Sequence, residues 1–241
     1  MSQVSPVFKR EFLGYFRSPV AYVFLIAFPV AAVALAFSRF GYFFKSNAAS
    51  LERYFGFYPW LYLFLVPAVG MRLWSEEKRS GTVELLFTLP VTTVEAVLGK
   101  FFAAWAFLGI AIFLSFPMAI TIAYLGNPDW GVVGTNYLGA ILMAGSYLGI
   151  CALTSALTKN QVVSFVLSLV ICAVMVFLGY SGFTEFLEQH LPINVSDALG
   201  SFSFSTHFEG FGRGIIDAKD VTFFLSLIVV TLVLNVVALE R

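Results

Sequence analysis

The residues best suited to chemistry are few and poorly grouped for it. His190 and His207 are the only histidines, and Glu185, Glu188 and Glu209 stand near them in the sequence. These are zinc-donor types, but their spacing is irregular and lacks the short repeat of a metal site. They read as polar residues at a membrane interface. Cys151 and Cys172 both fall inside apolar runs, with neither a zinc spacing nor a disulfide framework. They read as small core residues. A phosphate-binding loop needs G-x-x-x-x-G-K-[S/T]; Gly99-Lys100 has Val94 where the first glycine belongs and Phe101 where the hydroxyl belongs. The string Gly210-Phe211-Gly212-Arg213-Gly214 lacks the dinucleotide spacing and follows no strand pattern. The chain is therefore expected to be no enzyme, with no catalytic residue, no metal and no cofactor of its own. With 14 basic and 14 acidic residues its net charge is zero, so it carries no basic footprint for nucleic acid.

The elements that must position these residues are set by apolar content. Hydrophobic residues make up 59% of the 241 and charged residues only 12%, about half the share of a soluble domain. Uncharged runs near the roughly 20 residues needed to cross a bilayer occur at 20–38, 54–71, 101–127, 130–158, 160–184 and 221–239. The expected fold is an all-α integral membrane protein with six transmembrane helices, a single membrane domain over 1–241. The first run follows Lys9, Arg10 and Arg17, and Ala34-Leu35-Ala36 mimics a signal-cleavage site, but five more spans follow and it reads as a span. Pro29, Pro67 and Pro117 interrupt the first three.

With the N-terminus cytoplasmic, the inner segments hold Lys9, Arg10, Arg17, Arg72, Lys78, Arg79, Lys100, Lys159 and Arg241. The outer ones hold Arg39, Lys45, Arg53, Arg213 and Lys219. The excess inside predicts that both termini are cytoplasmic. The spans contain no charge, which argues against a proton- or ion-coupled carrier. Gly145 and Gly149 form G-x-x-x-G in the fourth run, with Gly139 upstream, a spacing that serves close packing within the chain or between two chains.

Three polar segments carry the rest. In residues 1–19, Val4, Phe8, Phe12, Tyr15 and Phe16 share one helical face, Arg10, Gly14 and Arg17 lie opposite, and Lys9 and Glu11 flank the apolar arc. That pattern predicts an amphipathic helix in the membrane interface, ended by Pro19. Residues 74–96 lie between the second and third spans on the cytoplasmic side. Charges crowd Glu76 to Glu84, Leu85, Leu86 and Leu89 give an apolar stripe, and Thr92 with Glu95 forms a capping box. Gly81 is expected to turn the chain into a short surface helix capped by Ser80 or Thr82, able to dock in a partner's groove. Residues 181–220 form an outer segment too long for an idle connector. It holds helical stretches at 183–190 and 204–211, the second with Phe204, Phe208 and Phe211 on one side, then a glycine-rich turn and Asp217 and Asp220.

The run Glu77 to Pro90 (E-K-R-S-G-T-V-E-L-L-F-T-L-P), followed by Gly99-Lys100, resembles the permease subunits of ABC-2 type transporters. The likeness takes in the interfacial helix and the six-span layout, so it covers nearly the whole chain. His207-Phe208-Glu209-Gly210-Phe211-Gly212-Arg213-Gly214-Ile215-Ile216-Asp217 resembles the gliding-motility type (GldF-like) branch. The resemblance implies a cytoplasmic coupling helix between spans two and three, and an extracytoplasmic helical hairpin dipping back between spans five and six.

It also implies a multi-pass protein of the bacterial inner membrane, acting as a permease in an ATP-driven exporter. The partners would be two separate ATPase subunits carrying ATP and Mg, a second permease chain (the same or different), and an extracytoplasmic accessory protein. Coupling would rest on Glu76, Glu77, Gly81, Thr82, Glu84 and Leu85, with Phe8, Arg10, Phe12, Phe16 and Arg17 on the interfacial helix. His207, Glu209, Arg213 and Asp217 would mark the hairpin. An uncharged, aromatic pathway suits an amphipathic, lipid-like or polymeric cargo. The alternative is a complex that transports nothing and transmits ATPase-driven motion to an extracytoplasmic partner.

Overall fold

The computed structural model describes residues 4–38, 51–84, 90–126, 128–180, 182–183, 185 and 199–240. Among these there is no strand. The helices are α1 (Val4–Phe16), α2 (Pro19–Phe37), α3 (Glu52–Gly56), α4 (Tyr58–Gly70), α5 (Arg72–Ser80), α6 (Thr93–Phe113), α7 (Phe116–Leu125), α8 (Trp130–Leu157), α9 (Gln161–Phe177), α10 (Phe204–Gly212) and α11 (Ala218–Leu239). An apolar chain that leaves water must pair its backbone within itself, and the helix does so locally.

Side-chain caps set many of the starts. Thr92 and Glu95 close a reciprocal box on α6, with Glu95 N donating to Thr92 Oγ1 at 3.3 Å and Thr92 N to Glu95 Oε2 at 3.1 Å. Asp129, Asn160, Ser203 and Asp217 cap α8, α9, α10 and α11 in the same sense.

Three stretches are long and apolar enough to cross a membrane: 93–125, 130–157 and 218–239. A fourth is α1 taken with α2, which meet at a 74° bend. The six apolar runs thus differ in helical length. Run 54–71 breaks at Phe57 into α3 and α4. In run 160–184 the helix α9 stops after 17 residues, about 26 Å of rise against a hydrocarbon core of about 30 Å. Apolar character alone does not mark such ends. Run 101–127 instead begins earlier, at Thr93, and is interrupted at Leu114-Ser115, with Pro117 in the first turn of α7. Pro29 and Pro67 lie inside α2 and α4.

α8 is the central post. Its span is 83% buried, against 44% for α6 with α7 and 22% for α11. Helices α4, α5, α6, α9, α10 and α11 all pack on it. Gly145 and Gly149 serve this packing: a Cβ at Gly145 would sit 2.9 Å from Ile228 and from Trp105, and one at Gly149 would sit 2.2 Å from Thr231 Oγ1. The G-x-x-x-G motif therefore seats α11 within the same chain.

Tyr54, Tyr58 and Tyr62 form a buried column beside α8, joined by Tyr147 of α8 itself. Tyr62 donates to the Ala140 carbonyl at 3.2 Å and Tyr147 to the Pro59 carbonyl at 3.0 Å, while the Tyr58 hydroxyl meets Ser115 Oγ at 2.9 Å. Buried phenols need such partners. The break at Leu114-Ser115 is what presents the Ser115 hydroxyl to Tyr58.

Candidate coupling site

The charged loop expected after the second span is mostly helix. α5 follows α4 with only Met71 between them, and it buries Leu73, Trp74 and Ser75. A helix start leaves amide hydrogens without partners. Here Ser155 of α8 supplies one: its Oγ accepts from Trp74 N and Ser75 N, each at 3.0 Å, and donates to the Met71 carbonyl at 2.9 Å. Lys78 donates to the carbonyl of Ala156, in the last turn of α8, where the helix dipole favours a cation. Burial lowers the Lys78 pKa, and nearby Lys159 lowers it further. α5 is thus bolted along the end of the central post.

Gly81 takes φ 72° and closes α5 in the left-handed conformation. The same residue thus ends α5 and turns the chain into the helical residues that follow. Ser80 Oγ folds back to the Glu76 carbonyl at 3.0 Å and lies 2.9 Å from Thr82 Oγ1. A new helical turn begins at Thr82 and includes Glu84, both exposed. Leu85, Leu86 and Leu89 lie outside the described residues.

Glu76 and Glu77 part company on α5. Glu76 is exposed. Glu77 turns inward, and Lys100 Nζ donates to its Oε1 at 2.8 Å. The same ammonium lies 3.3 Å from Glu11 Oε1 of α1 and 5.0 Å from the centre of the Trp74 ring. Arg10 donates to Glu11 Oε1 at 2.7 Å and stands 3.9 Å from Glu77. Lys100 is 3% exposed, Glu11 and Glu77 22% each and Arg10 52%. Two cations and two carboxylates therefore form one neutral cluster that ties α1, α5 and α6 together.

The helix expected at the membrane interface, α1, is thus docked on the other helices. Val7 is its buried residue and presses on Gly99, where a Cβ would stand 2.6 Å from the Val7 side chain. Phe8 stacks on Phe12 at 5.5 Å, Phe12 meets Phe16 edge-on at 5.2 Å, and Phe16 and Tyr15 reach Phe107 at 5.9 and 4.9 Å. Arg17 is exposed. Glu11, expected at the flank of the apolar arc, faces Lys100. A helical wheel sorts polar from apolar positions but does not say which charge a carboxylate will meet. Glu11 and Lys100 were not among the expected site residues, although Gly99-Lys100 belongs to the sequence signature.

Burial would raise the Glu11 carboxyl, but Lys100 and Arg10 outweigh it and hold its pKa below the ordinary value of about 4.3. A depressed carboxylate adds stability that is present above its unfolded pKa and is lost as pH falls through the folded one. A fluorophore on Leu13→Cys, an exposed site of α1, should report no undocking on acidification until the pH falls below the ordinary glutamate value of about 4.3. Undocking that begins above about pH 5 would contradict the depressed Glu11.

At the other end, α10 is held by its phenylalanine stripe. Phe204, Phe208 and Phe211 are buried, with Phe204 stacked on Tyr147 at 4.3 Å and on Phe224 at 6.4 Å. The helix continues through Gly210 to Gly212, so the expected glycine turn narrows to Gly214, at φ 80°. His207 is 14% exposed and fully engaged: Nδ1 lies 2.7 Å from Asp220 and Nε2 2.8 Å from the Ser201 carbonyl, with the ring on Phe223 at 4.0 Å. That pairing replaces the solvated histidine expected from sequence. Glu209 and Arg213 form an exposed i,i+4 pair at 3.4 Å, and Asp217 caps α11. Most of the 183–190 stretch, including His190, lies outside the described residues. Among the described residues no cluster of metal-binding side chains occurs.

α5 with its ion cluster is thus a charged element fixed to the long apolar helices α6 and α8. The family model described as ABC-2 family transporter protein matches residues 5–241. The chain belongs to that family. No curated protein matches the chain. An ABC-2 protein of this kind is a membrane-embedded permease subunit of an ABC transporter and works with ABC ATPase subunits. In this permease, the signature residues Glu77 and Lys100 join α5 to α6 as an ion pair at 2.8 Å.

Proposed function

We propose that this ABC-2 permease converts ATPase motion into movement of its membrane helices through α5 and the Lys100 cluster. The reading rests above all on one observation: Lys100 joins Glu77 of α5 to Glu11 of α1 at the head of α6. A push on the surface turn at Thr82–Glu84 would pass through Gly81 into α5. From there Ser155 carries it to α8, and the ion cluster carries it to α1 and α6. Helices packed this tightly transmit displacement as rigid bodies.

In this reading all six apolar runs cross the bacterial inner membrane, both termini are cytoplasmic, and α1 lies in the interface plane. Two ATPase subunits hold ATP and Mg below, a second permease chain completes the pathway, and the chain itself performs no catalysis and binds no cofactor. Glu76, Glu77, Gly81, Thr82, Glu84 and Leu85 form the coupling element, and the cargo is amphipathic, lipid-like or polymeric. Assignment to the gliding-motility type rests on the 207–217 string alone.

The non-transporting alternative draws on α10. Its stripe is packed against α8 and α11, so motion of the post would reach any extracytoplasmic partner. ATPase activity stimulated by cargo would favour export, and activity governed by such a partner with nothing moved would favour transmission.

The coupling element is tested with Glu84→Lys and Leu85→Asp. Losing a well-buried contact at an interface costs about 2 kcal/mol or more, a roughly thirtyfold weakening. Both variants should insert normally yet lose the ATPase on co-purification. Wild-type retention and activity in both would reduce this segment to a connector.

A further inference from the structure

In the crook where α1 turns into α2 lies a cavity of about 380 Å³, closed on its far side by the α4–α5 junction and by Phe107. That volume is within the range of sites for small ligands. Its lining is divided by polarity. Phe24, Phe107 and Val69 form an apolar wall, while Glu11, Arg72 and Glu76 form a charged mouth. Arg72 and Glu76 are one helical turn apart on the exposed side of α5, opposite buried Trp74. Neither makes an ion pair among the described residues, although Lys100 and Arg10 already engage the third charge, Glu11.

A helix in the interface plane, bent 74° from the apolar helix that follows, places this crook where lipid headgroups lie. One guanidinium and one free carboxylate, side by side above an apolar wall, complement a ligand with a phosphate, an amine and a chain.

We propose that the cavity holds a glycerophospholipid with a primary-amine headgroup, its phosphate on Arg72, its ammonium on Glu76 and an acyl chain along Phe24 and α2. An anionic headgroup without the amine would leave Glu76 facing negative charge. A choline headgroup has no N–H to donate to the carboxylate. The phosphate contact alone would also suit free phosphate, and only the lipid uses the apolar wall. The inference rests on α1 lying at the interface, not on the nature of the cargo. It also gives exposed Glu76 a role apart from Glu77.

The test is lipid retention by the purified permease–ATPase complex, weighed by native mass spectrometry after exchange through equal mixtures of phosphatidylethanolamine, phosphatidylcholine and phosphatidylglycerol. The wild type should retain phosphatidylethanolamine preferentially, unaffected by added inorganic phosphate. Charge-assisted hydrogen bonds of this kind should make Arg72→Gln weaken retention of all three lipids about tenfold or more. Glu76→Gln should abolish the preference for the amine while phosphatidylcholine is still held.

Co-purification of the ATPase is recorded in the same samples, so loss of coupling is distinguished from loss of lipid. Displacement by inorganic phosphate, preference for phosphatidylglycerol, equal retention by both variants, or a cavity that retains no lipid in the intact complex would each overturn the proposal.

Discussion

Lys100→Met is expected to detach α1 and loosen α5 in one step, making it the most damaging single change around the ion cluster. Lys100 is 3% exposed and is the ammonium shared by Glu11 and Glu77. Removing it leaves two mostly buried carboxylates facing each other, with only half-exposed Arg10 to offset them. Breaking a buried pair by deleting one partner costs about 3–5 kcal/mol, chiefly for the charge left uncompensated. That is a large share of the whole stability of a typical domain.

The cost should arise from unpaired charge and not from lost packing. The triple variant Lys100→Met, Glu11→Gln, Glu77→Gln should therefore recover most of the loss, since a buried pair removed as a unit is often close to neutral. Thermal unfolding of the purified chain followed by tryptophan fluorescence measures stability, and release of a label on Leu13→Cys measures α1 docking. A single variant as stable as the wild type, or a triple variant no better than the single, would show that the cluster does not hold these helices.

Gly70→Ala is expected to be nearly as disruptive, for a purely steric reason. Gly70 is the last residue of α4, and an added methyl there would lie 2.4 Å from Cys151 Cβ and 3.5 Å from Leu148. A Cβ cannot rotate away, so α4 must move off α8. The next residues in the chain are those that Ser155 holds, Met71 by its carbonyl and Trp74 and Ser75 by their amides. Overpacking of this sort costs about 1–3 kcal/mol, and it would also shift Glu77 relative to Lys100. Adding Cys151→Gly should restore much of the stability, less about 1 kcal/mol for glycine within a helix. If Gly70→Ala melts like the wild type, or if Cys151→Gly fails to rescue it, the close approach of α4 and α8 is not what seats α5.

Several parts of this architecture were legible in the residues themselves, where the cause is local. The helical membrane class follows from apolar runs that must satisfy their own backbone. The capping box at Thr92 and Glu95 is a matter of four consecutive residues. The buried stripe of α10 follows from Phe204, Phe208 and Phe211 recurring at helical spacing. Two ends of the ion cluster, Glu77 and Lys100, were visible only as members of a family signature, without the contact that explains them.

What tertiary structure alone decided depends on helices far apart in sequence. The periodicity of α1 marks Glu11 as polar but cannot say that Lys100 of α6 will meet it. Adjacent Glu76 and Glu77 are indistinguishable by type, yet a turn of about 100° per residue aims one at a cavity and the other at a buried ammonium. Tyrosines in apolar runs look alike until Ser115 and the carbonyls of Ala140 and Pro59 are brought within reach of their hydroxyls. Local pattern thus determined which surfaces would be apolar, charged or capped. Which charge faces which, and where two backbones pass close enough to require Gly70 and Gly99, is settled only by packing around α8, because pair energies depend on distances that no single helix contains.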